Sequence, residues 1–215
     1  MDYGSMVSEA FAYAKDAVVG KWNQWLMLII ATIPLGLPLM GYVLKVLRDE
    51  TPAPEVSGWA SLFVDGIKYV IVSLIYAIPF LIVFFLTIGA SYLSLMSGNL
   101  NAIGAMIGGI AIAFVVAIIT AIFAIIGMVR FARTGSIGEA FNFSAILATI
   151  SRIGWVPYIT ALIVFVVLEV IVAIVVTIIT MIPVLGYIIY LCLIAPIALM
   201  YARYVCLIYD SAGVA

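Results

Sequence analysis

The chain has 215 residues, 67% hydrophobic and 9% charged, with no histidine and a formal net charge of −1. Water-soluble domains keep roughly a quarter of their residues charged, so this composition excludes a soluble fold. A net charge of −1 with scattered basic residues argues against a nucleic-acid partner, which needs a basic patch, and the absence of histidine removes the commonest general base and metal ligand.

The first 22 residues carry Asp2, Glu9, Lys15, Asp16 and Lys21 and lack the apolar core of a cleavable signal peptide. Insertion is expected to use the first hydrophobic segment as an uncleaved signal. Val7, Phe11, Ala14, Val18 and Trp22 fall within about 60° of one direction at 100° per residue, with Ser5, Glu9 and Asp16 opposite. This pattern predicts a helix lying in the membrane interface, aromatic side down.

Residues 23–44 are apolar, but Pro34-Leu35-Gly36-Leu37-Pro38 interrupts them at the centre, where two prolines break helical hydrogen bonding. Each leg of about 10 residues reaches about 15 Å, half of a hydrocarbon core about 30 Å thick. The preferred reading is a re-entrant hairpin buried by neighbouring helices; a fifth span is the alternative. Pro34, Gly36 and Pro38 form a candidate helix-break site, since an interrupted helix can turn carbonyls toward a cavity. A plain hairpin tip explains the same residues.

The loop 48–56 reads as a stiff, solvated connector. After it, Trp59, Leu62, Phe63, Gly66 and Val70 share a face against Ser57, Ser61 and Lys68. This stretch is either a second interfacial helix or the wetted end of a span. Asp65 and Lys68 are spaced to pair on it.

Four stretches, 69–96, 104–128, 155–181 and 184–202, contain a single charged residue between them, Glu169. About 20 apolar residues cross a bilayer, so each is a full span. In the second, Ala105, Gly109, Ala113, Ala117 and Ala121 recur every fourth residue, a small-residue groove into which another helix can pack closely. The partner is a helix of the same chain or a second copy.

Before the third span, Ser136-Ile137-Gly138-Glu139 has the spacing of a capping box opening a third amphipathic helix, about 136–152. Glu9-Ala10-Phe11-Ala12-Tyr13 matches Glu139-Ala140-Phe141-Asn142-Phe143 at an offset of 130, as does Trp25 with Trp155. The chain is thus read as one integral membrane domain, 1–215, of three pseudo-repeats, roughly 1–50, 51–130 and 131–215, each an interfacial helix followed by a hydrophobic hairpin. Glu9 and Glu139 are expected on surface helices. Pro183 and Gly186 mark a tight turn between the last two spans. Cys192 and Cys206, 14 residues apart on one helix, stand about 21 Å apart and cannot bridge.

Glu169 lies near the middle of its span, where an ionised carboxylate is costly. It is either a proton or cation site, a protonated carboxyl hydrogen-bonded between helices, or a contact for an assembly partner. Thr120, Thr177, Thr160 and Ser73 are the hydroxyls within its expected reach.

Under the hairpin reading all nine basic residues share one side: Lys15, Lys21, Lys45, Arg48, Lys68, Arg130, Arg133, Arg152 and Arg203. The positive-inside rule makes that side cytoplasmic, with both termini on it. Asn142-Phe143-Ser144 fits a glycosylation sequon but then faces the cytoplasm, where it stays unmodified.

The run Gly41-Tyr42 … Arg48 … Pro54-Glu55 … Trp59 … Leu62-Phe63-Val64-Asp65-Gly66 … Lys68 … Tyr76-Ala77-Ile78-Pro79 resembles a family of small polytopic membrane proteins of unknown function, found mainly in archaea and in some bacteria. Glu139-Ala140-Phe141 … Gly154-Trp155 is similar to it as well. The resemblance implies a prokaryotic cell membrane and transfers no activity.

There is no nucleophile elbow, no phosphate-cradling glycine loop followed by lysine and no cluster of metal ligands, so neither enzyme, cofactor nor metal is expected. The expected fold is an all-α transmembrane bundle. The expected role is a non-catalytic accessory, scaffolding or lipid-organising subunit, partnered by membrane lipids and by copies of itself or other membrane proteins. The alternative is a small oligomeric channel or ion-coupled transporter that uses Glu169.

Overall fold

The structure is a computed structural model and describes residues 1–213; every described regular element is helical. In chain order these are α1 (Tyr3–Val18), α2 (Trp22–Thr32), α3 (Leu37–Leu47), α4 (Trp59–Phe84), a π-helical turn (Phe85–Gly89), α5 (Ala90–Met96), α6 (Ala102–Thr134), a 3₁₀ turn (Ile137–Phe141), α7 (Phe143–Ile153), α8 (Trp155–Thr180) and α9 (Leu185–Asp210). Among them, Trp59–Met96, Ala102–Thr134, Trp155–Thr180 and Leu185–Asp210 are long and apolar enough to cross a membrane. The four expected spans fall within these helices to within one residue at the 181 and 184 ends, and the chain is a multi-pass membrane protein. The surface agrees: on α8 alone Ile163, Val166, Val170, Ile174 and Ile178 are all more than half exposed, an apolar area that only hydrocarbon solvates at low cost.

Two compact units emerge, one of Met1–Val70 with the chain from Ile126 onward, the other Ile71–Ile125. In the larger unit α9 is the central post, contacted by α1, α2, α3, α7 and α8. Its Ala195, Leu199, Tyr204, Cys206 and Ile208 are fully enclosed. Tyr204 Oη donates to the Ala161 carbonyl of α8 at 3.1 Å, and Trp25 Nε1 of α2 donates to the Cys192 carbonyl at 2.9 Å.

α1 starts where Asp2 Oδ1 accepts from Gly4 N and Ser5 N, at 3.1 and 3.2 Å, satisfying donors that have no partner within the helix. Its packing differs from the expected division into two faces. Met6, Ala10, Tyr13 and Ala17 are buried together with Ala14 and Val18, whereas Phe11 and Trp22 are 61% and 73% exposed. Ala10, Ala14 and Ala17 let α1 lie close on α9, with Met6 and Tyr13 on the same buried face, and Phe11 and Trp22 lie outside that contact.

The segment after α1 is two helices folded back on one another. Gln24 near the start of α2 donates to Tyr42 Oη in α3 at 3.4 Å, the pairing of an antiparallel hairpin. The reversal uses left-handed backbone at Leu35 (φ 55°) and Gly36 (φ 69°), and Leu35 is 91% exposed at the tip. Eleven residues in each helix give about 16 Å apiece.

α3 passes α4 at backbone contact. A Cβ on Gly41 would stand 1.9 Å from the Leu62 carbonyl oxygen, and one on Gly66 would stand 1.9 Å from that of Leu37. The stretch from Trp59 is continuous with the long helix α4, so of its two readings the wetted end of a span is the one found.

The expected capping box does not form. Ser136 makes no side-chain cap, and a 3₁₀ turn replaces the first helical turn. Asn142 caps α7 instead, its Oδ1 accepting from Ala145 N at 3.2 Å. The physical reason is competition: the Glu139 carboxylate, which the box needs, is held by Arg130 and by Asn142 Nδ2. α7 buries Ile146, Thr149, Ile150 and Ile153, a clean helical stripe.

In the smaller unit α4 carries Pro79 within its length, and the π turn begins six residues later at Phe85. Thr87 Oγ1 donates to Val83 O and Ser91 Oγ to Thr87 O, both at 2.7 Å. Tyr76 Oη reaches the Phe123 carbonyl at 3.5 Å.

Candidate functional site

The described chemistry of the larger unit lies in three places: a belt of ion pairs, an apolar groove and Glu169.

The belt is built at helix ends. Arg203, 9% exposed on α9, donates from Nη2 to Glu9 Oε1 at 2.6 Å and from Nη1 to Asp49 Oδ1, and its guanidinium lies 5.5 Å from the centre of the Tyr13 ring. Burial pushes the Tyr13 phenol well above its ordinary range, and its hydroxyl donates to the Glu50 carbonyl at 2.9 Å. At the end of α6, Arg133 donates to Asp210 Oδ1 at 2.5 Å and lies 4.9 Å from the centre of the Tyr209 ring. Arg48 donates to Asp65 Oδ2 at 2.8 Å and to the Ala132 carbonyl at 3.1 Å, with Lys68 Nζ on the other Asp65 oxygen at 3.3 Å. Arg130 grips Glu139, which holds that carboxyl below its ordinary pKa.

A buried charge is tolerable only when paired. The belt meets that need for Arg203 and ties α1, α3, α4, α6 and α9 together at their ends. Glu9 and Glu139 are therefore ion-pair partners rather than plain surface acids. Each stands opposite an arginine, Glu9 against Arg203 and Glu139 against Arg130. The Asp65–Lys68 pair does form, but its arginine partner, 17 residues away, was not visible in the spacing.

The groove runs between α1, α2, α8 and α9, with a volume of about 470 Å³. Phe11, Val18, Trp25, Val172, Val175 and Pro196 are among its walls, and Lys15 is the single charged residue lining it. Beyond the corner between α1 and α2 lies a polar cleft lined by Lys21, Asn23, Gln24, Pro52 and Glu55. Trp22 and Trp25 stack at 5.5 Å between centroids at that corner.

Glu169 sits in the middle of α8 on an exposed face and makes no hydrogen bond or ion pair among the described residues. Thr177 Oγ1 donates to Ala173 O at 2.7 Å and Thr160 Oγ1 to Val156 O at 2.9 Å; both hydroxyls serve their own helix, about 12 and 14 Å along the axis from Glu169. Thr120 and Ser73 belong to the other unit. The side chain in electrostatic contact with Glu169 is the Tyr201 phenol of α9, stacked edge-on against Phe165 at 5.3 Å. No signal in the sequence singles out Tyr201.

Of the small-residue groove, Gly109 and Ala113 are buried, Ala117 is half-buried, and Ala105 and Ala121 are exposed. Gly109 faces Thr87 of the same unit, whose Cβ and Oγ1 would each lie 2.7 Å from an added Cβ. Of the helix break, Gly36 forms the turn, Pro34 precedes it and Pro38 is buried at the start of α3. Among the described residues no cluster of three or more acids or cysteines can hold a metal, and both cysteines are free thiols.

No curated protein and no solved structure matches this chain. A family model described as Protein of unknown function (DUF4013) matches residues 25–182. That range holds all but the first three residues of the α2–α3 hairpin, the Gly41/Gly66 crossing, the Arg48–Asp65 and Arg130–Glu139 pairs and the whole of α8. With nearly three quarters of its length matched, the chain belongs to the DUF4013 family of proteins of unknown function.

Proposed function

We propose that this protein is a non-catalytic subunit of a cell membrane with an accessory, scaffolding or lipid-organising role. The observation that carries the reading is how its polar chemistry is used. Arg48, Lys68, Arg130, Arg133 and Arg203 are consumed in pairs that hold helices together, while an apolar groove of about 470 Å³ lies between the helices. Neither arrangement directs a nucleophile or a paired acid and base at a reactant.

In this reading the α2–α3 hairpin re-enters the membrane from the cytoplasmic side, tip inward. Both termini are cytoplasmic, which puts all nine basic residues on one side. The three pseudo-repeats correspond to α1 with α2–α3, α4 with α6, and α7 with α8–α9. Membrane lipids are the immediate partners, with copies of the chain or other membrane proteins beyond them.

Glu169 supports a second reading. A carboxyl exposed at mid-span without a hydrogen bond invites cover from another helix, and several copies converging there would make a small ion channel or ion-coupled carrier. Reconstitution separates the two. Liposomes holding this chain alone stay tight to protons and sodium if the role is accessory, and gentle extraction from the native membrane brings companion polypeptides or lipids with it. A leak that Glu169→Gln abolishes would refute the accessory role.

A further inference from the structure

The groove between α1, α2, α8 and α9 has a chemistry more specific than general solvation by lipid. Its volume of about 470 Å³ lies within the range of about 300–1,000 Å³ typical of ligand sites. Its walls come from α8 and α9, both long and apolar enough to cross a membrane, from Trp25 of α2 and from α1, a lining that suits hydrocarbon. Lys15 is on the last turn of α1 and is the one charged residue in the lining.

Among the described residues Lys15 stands outside every ion pair, as does Lys21 just past the same helix end. The belt neutralises five of the nine cations within the protein; of the four outside it, Lys15 lines the groove and Lys21 the neighbouring cleft, while Lys45 and Arg152 line neither. Asp16, one residue on, is turned by 100° and lies away from Phe11, Lys15 and Val18. Glu55 lines the cleft with Lys21 and is not among the residues lining the groove. An unpaired positive charge in the wall of an otherwise apolar groove complements a molecule with a hydrocarbon tail and an anionic head.

We propose that this groove is a binding site for one anionic glycerophospholipid, an acyl chain lying along Val172 and Val175 and the phosphate held by Lys15. The inference rests on the lipid-organising reading and gives it a ligand class.

The test is native mass spectrometry of the full-length chain in detergent, titrated with phosphatidylglycerol and, separately, with phosphatidylcholine. The expected result is tighter binding of phosphatidylglycerol. Lys15→Ala lowers that affinity by roughly fivefold, the worth of one lysine near an anionic surface, and leaves phosphatidylcholine unchanged, while Lys15→Arg restores it. Val175, 49% exposed, provides a second variant that spares the interior, and Val175→Trp weakens both lipids by filling the groove. Equal binding of the two lipids, or no effect of either Lys15→Ala or Val175→Trp, would overturn the proposal. A dimer abolished by Val175→Trp would also overturn it, by placing a second copy in the groove. Adduct formation is read without any flux, so an ion leak in liposomes would defeat the accessory role without touching this result.

Discussion

Adding one methyl group at Gly41 is a sharp test of how α3 and α4 meet. In Gly41→Ala the new Cβ would stand 1.9 Å from the Leu62 carbonyl oxygen, 2.7 Å from its carbon and 2.9 Å from its Cα, all backbone atoms of a continuous helix. No rotamer change relieves such a contact. The helices must part by at least about 1.1 Å to reach the 3.0 Å that real Cβ atoms keep. Moving α3 loosens Leu39, Tyr42, Leu44 and Val46, each at most 1% exposed, and draws Arg48 away from Asp65 and the Ala132 carbonyl. Overpacking costs about 1–3 kcal/mol and occasionally more; a backbone clash with several enclosed side chains in train belongs at the upper end, about 3 kcal/mol. For a chain of this size that lowers the unfolding midpoint by roughly 6–12 °C. Thermal unfolding in detergent, followed by circular dichroism, measures it. Gly66→Ala makes the reciprocal clash with Leu37, so one displacement of α3 relieves both, and the double variant should lose clearly less than the sum of the singles. A Gly41→Ala protein melting within about 2 °C of the parent would refute the crossing.

Other perturbations probe the belt, the caps and the lone acid. Arg203→Met strands Glu9 and Asp49, both about half exposed; because water rescues them in part, about 2 kcal/mol is expected, below the 3–5 of a fully buried pair. Glu9→Gln should cost less, since Asp49 still holds Arg203, and a loss as large as that of Arg203→Met would contradict the shared pairing. Arg130 and Asn142 depress the Glu139 pKa, so this group's stabilisation is complete above the unfolded value of about 4.3 and is lost as pH falls below it through the lower folded value. Arg130→Gln should flatten that acid limb in a pH series of denaturation midpoints, and an unchanged limb would refute the assignment. Asn142→Ala should cost about 1 kcal/mol as a lost N-cap while Ser136→Ala stays near neutral; the reverse order, read from chemical denaturation, would restore the capping box. Glu169→Leu should leave the isolated chain within about 0.5 kcal/mol of the parent, as an exposed position does, and a loss above about 2 kcal/mol would mean the carboxyl is bonded between helices.

The four spans, the break at 34–38 and the Pro183–Gly186 turn were legible in the chain because each depends on residues next to one another. A run of about 20 apolar residues has one low-energy place, and proline removes its donor wherever it stands. On α6, Gly109 lies against Thr87, a partner that the small-residue spacing did not name. What spacing could not supply was the identity of partners. Arg203 meets Glu9 and Asp49 across 194 and 154 residues, and Arg133 meets Asp210 across 77. The same basic residues had served only to orient the chain, because a count of charges is local while a pair is a product of packing. The capping box failed for the same reason: Ser136 and Glu139 have the right spacing, but packing gave Glu139 to Arg130. The interior face of α1 was also decided by tertiary structure, since several faces of that helix are apolar enough to bury and only the shape of α9 selects small Ala10 and Ala17 over Phe11. Glu169 shows the boundary between the two kinds of information. Its cost at mid-span is a property of the residue, whereas its exposure and its neighbour Tyr201 belong to the way α8 lies on α9.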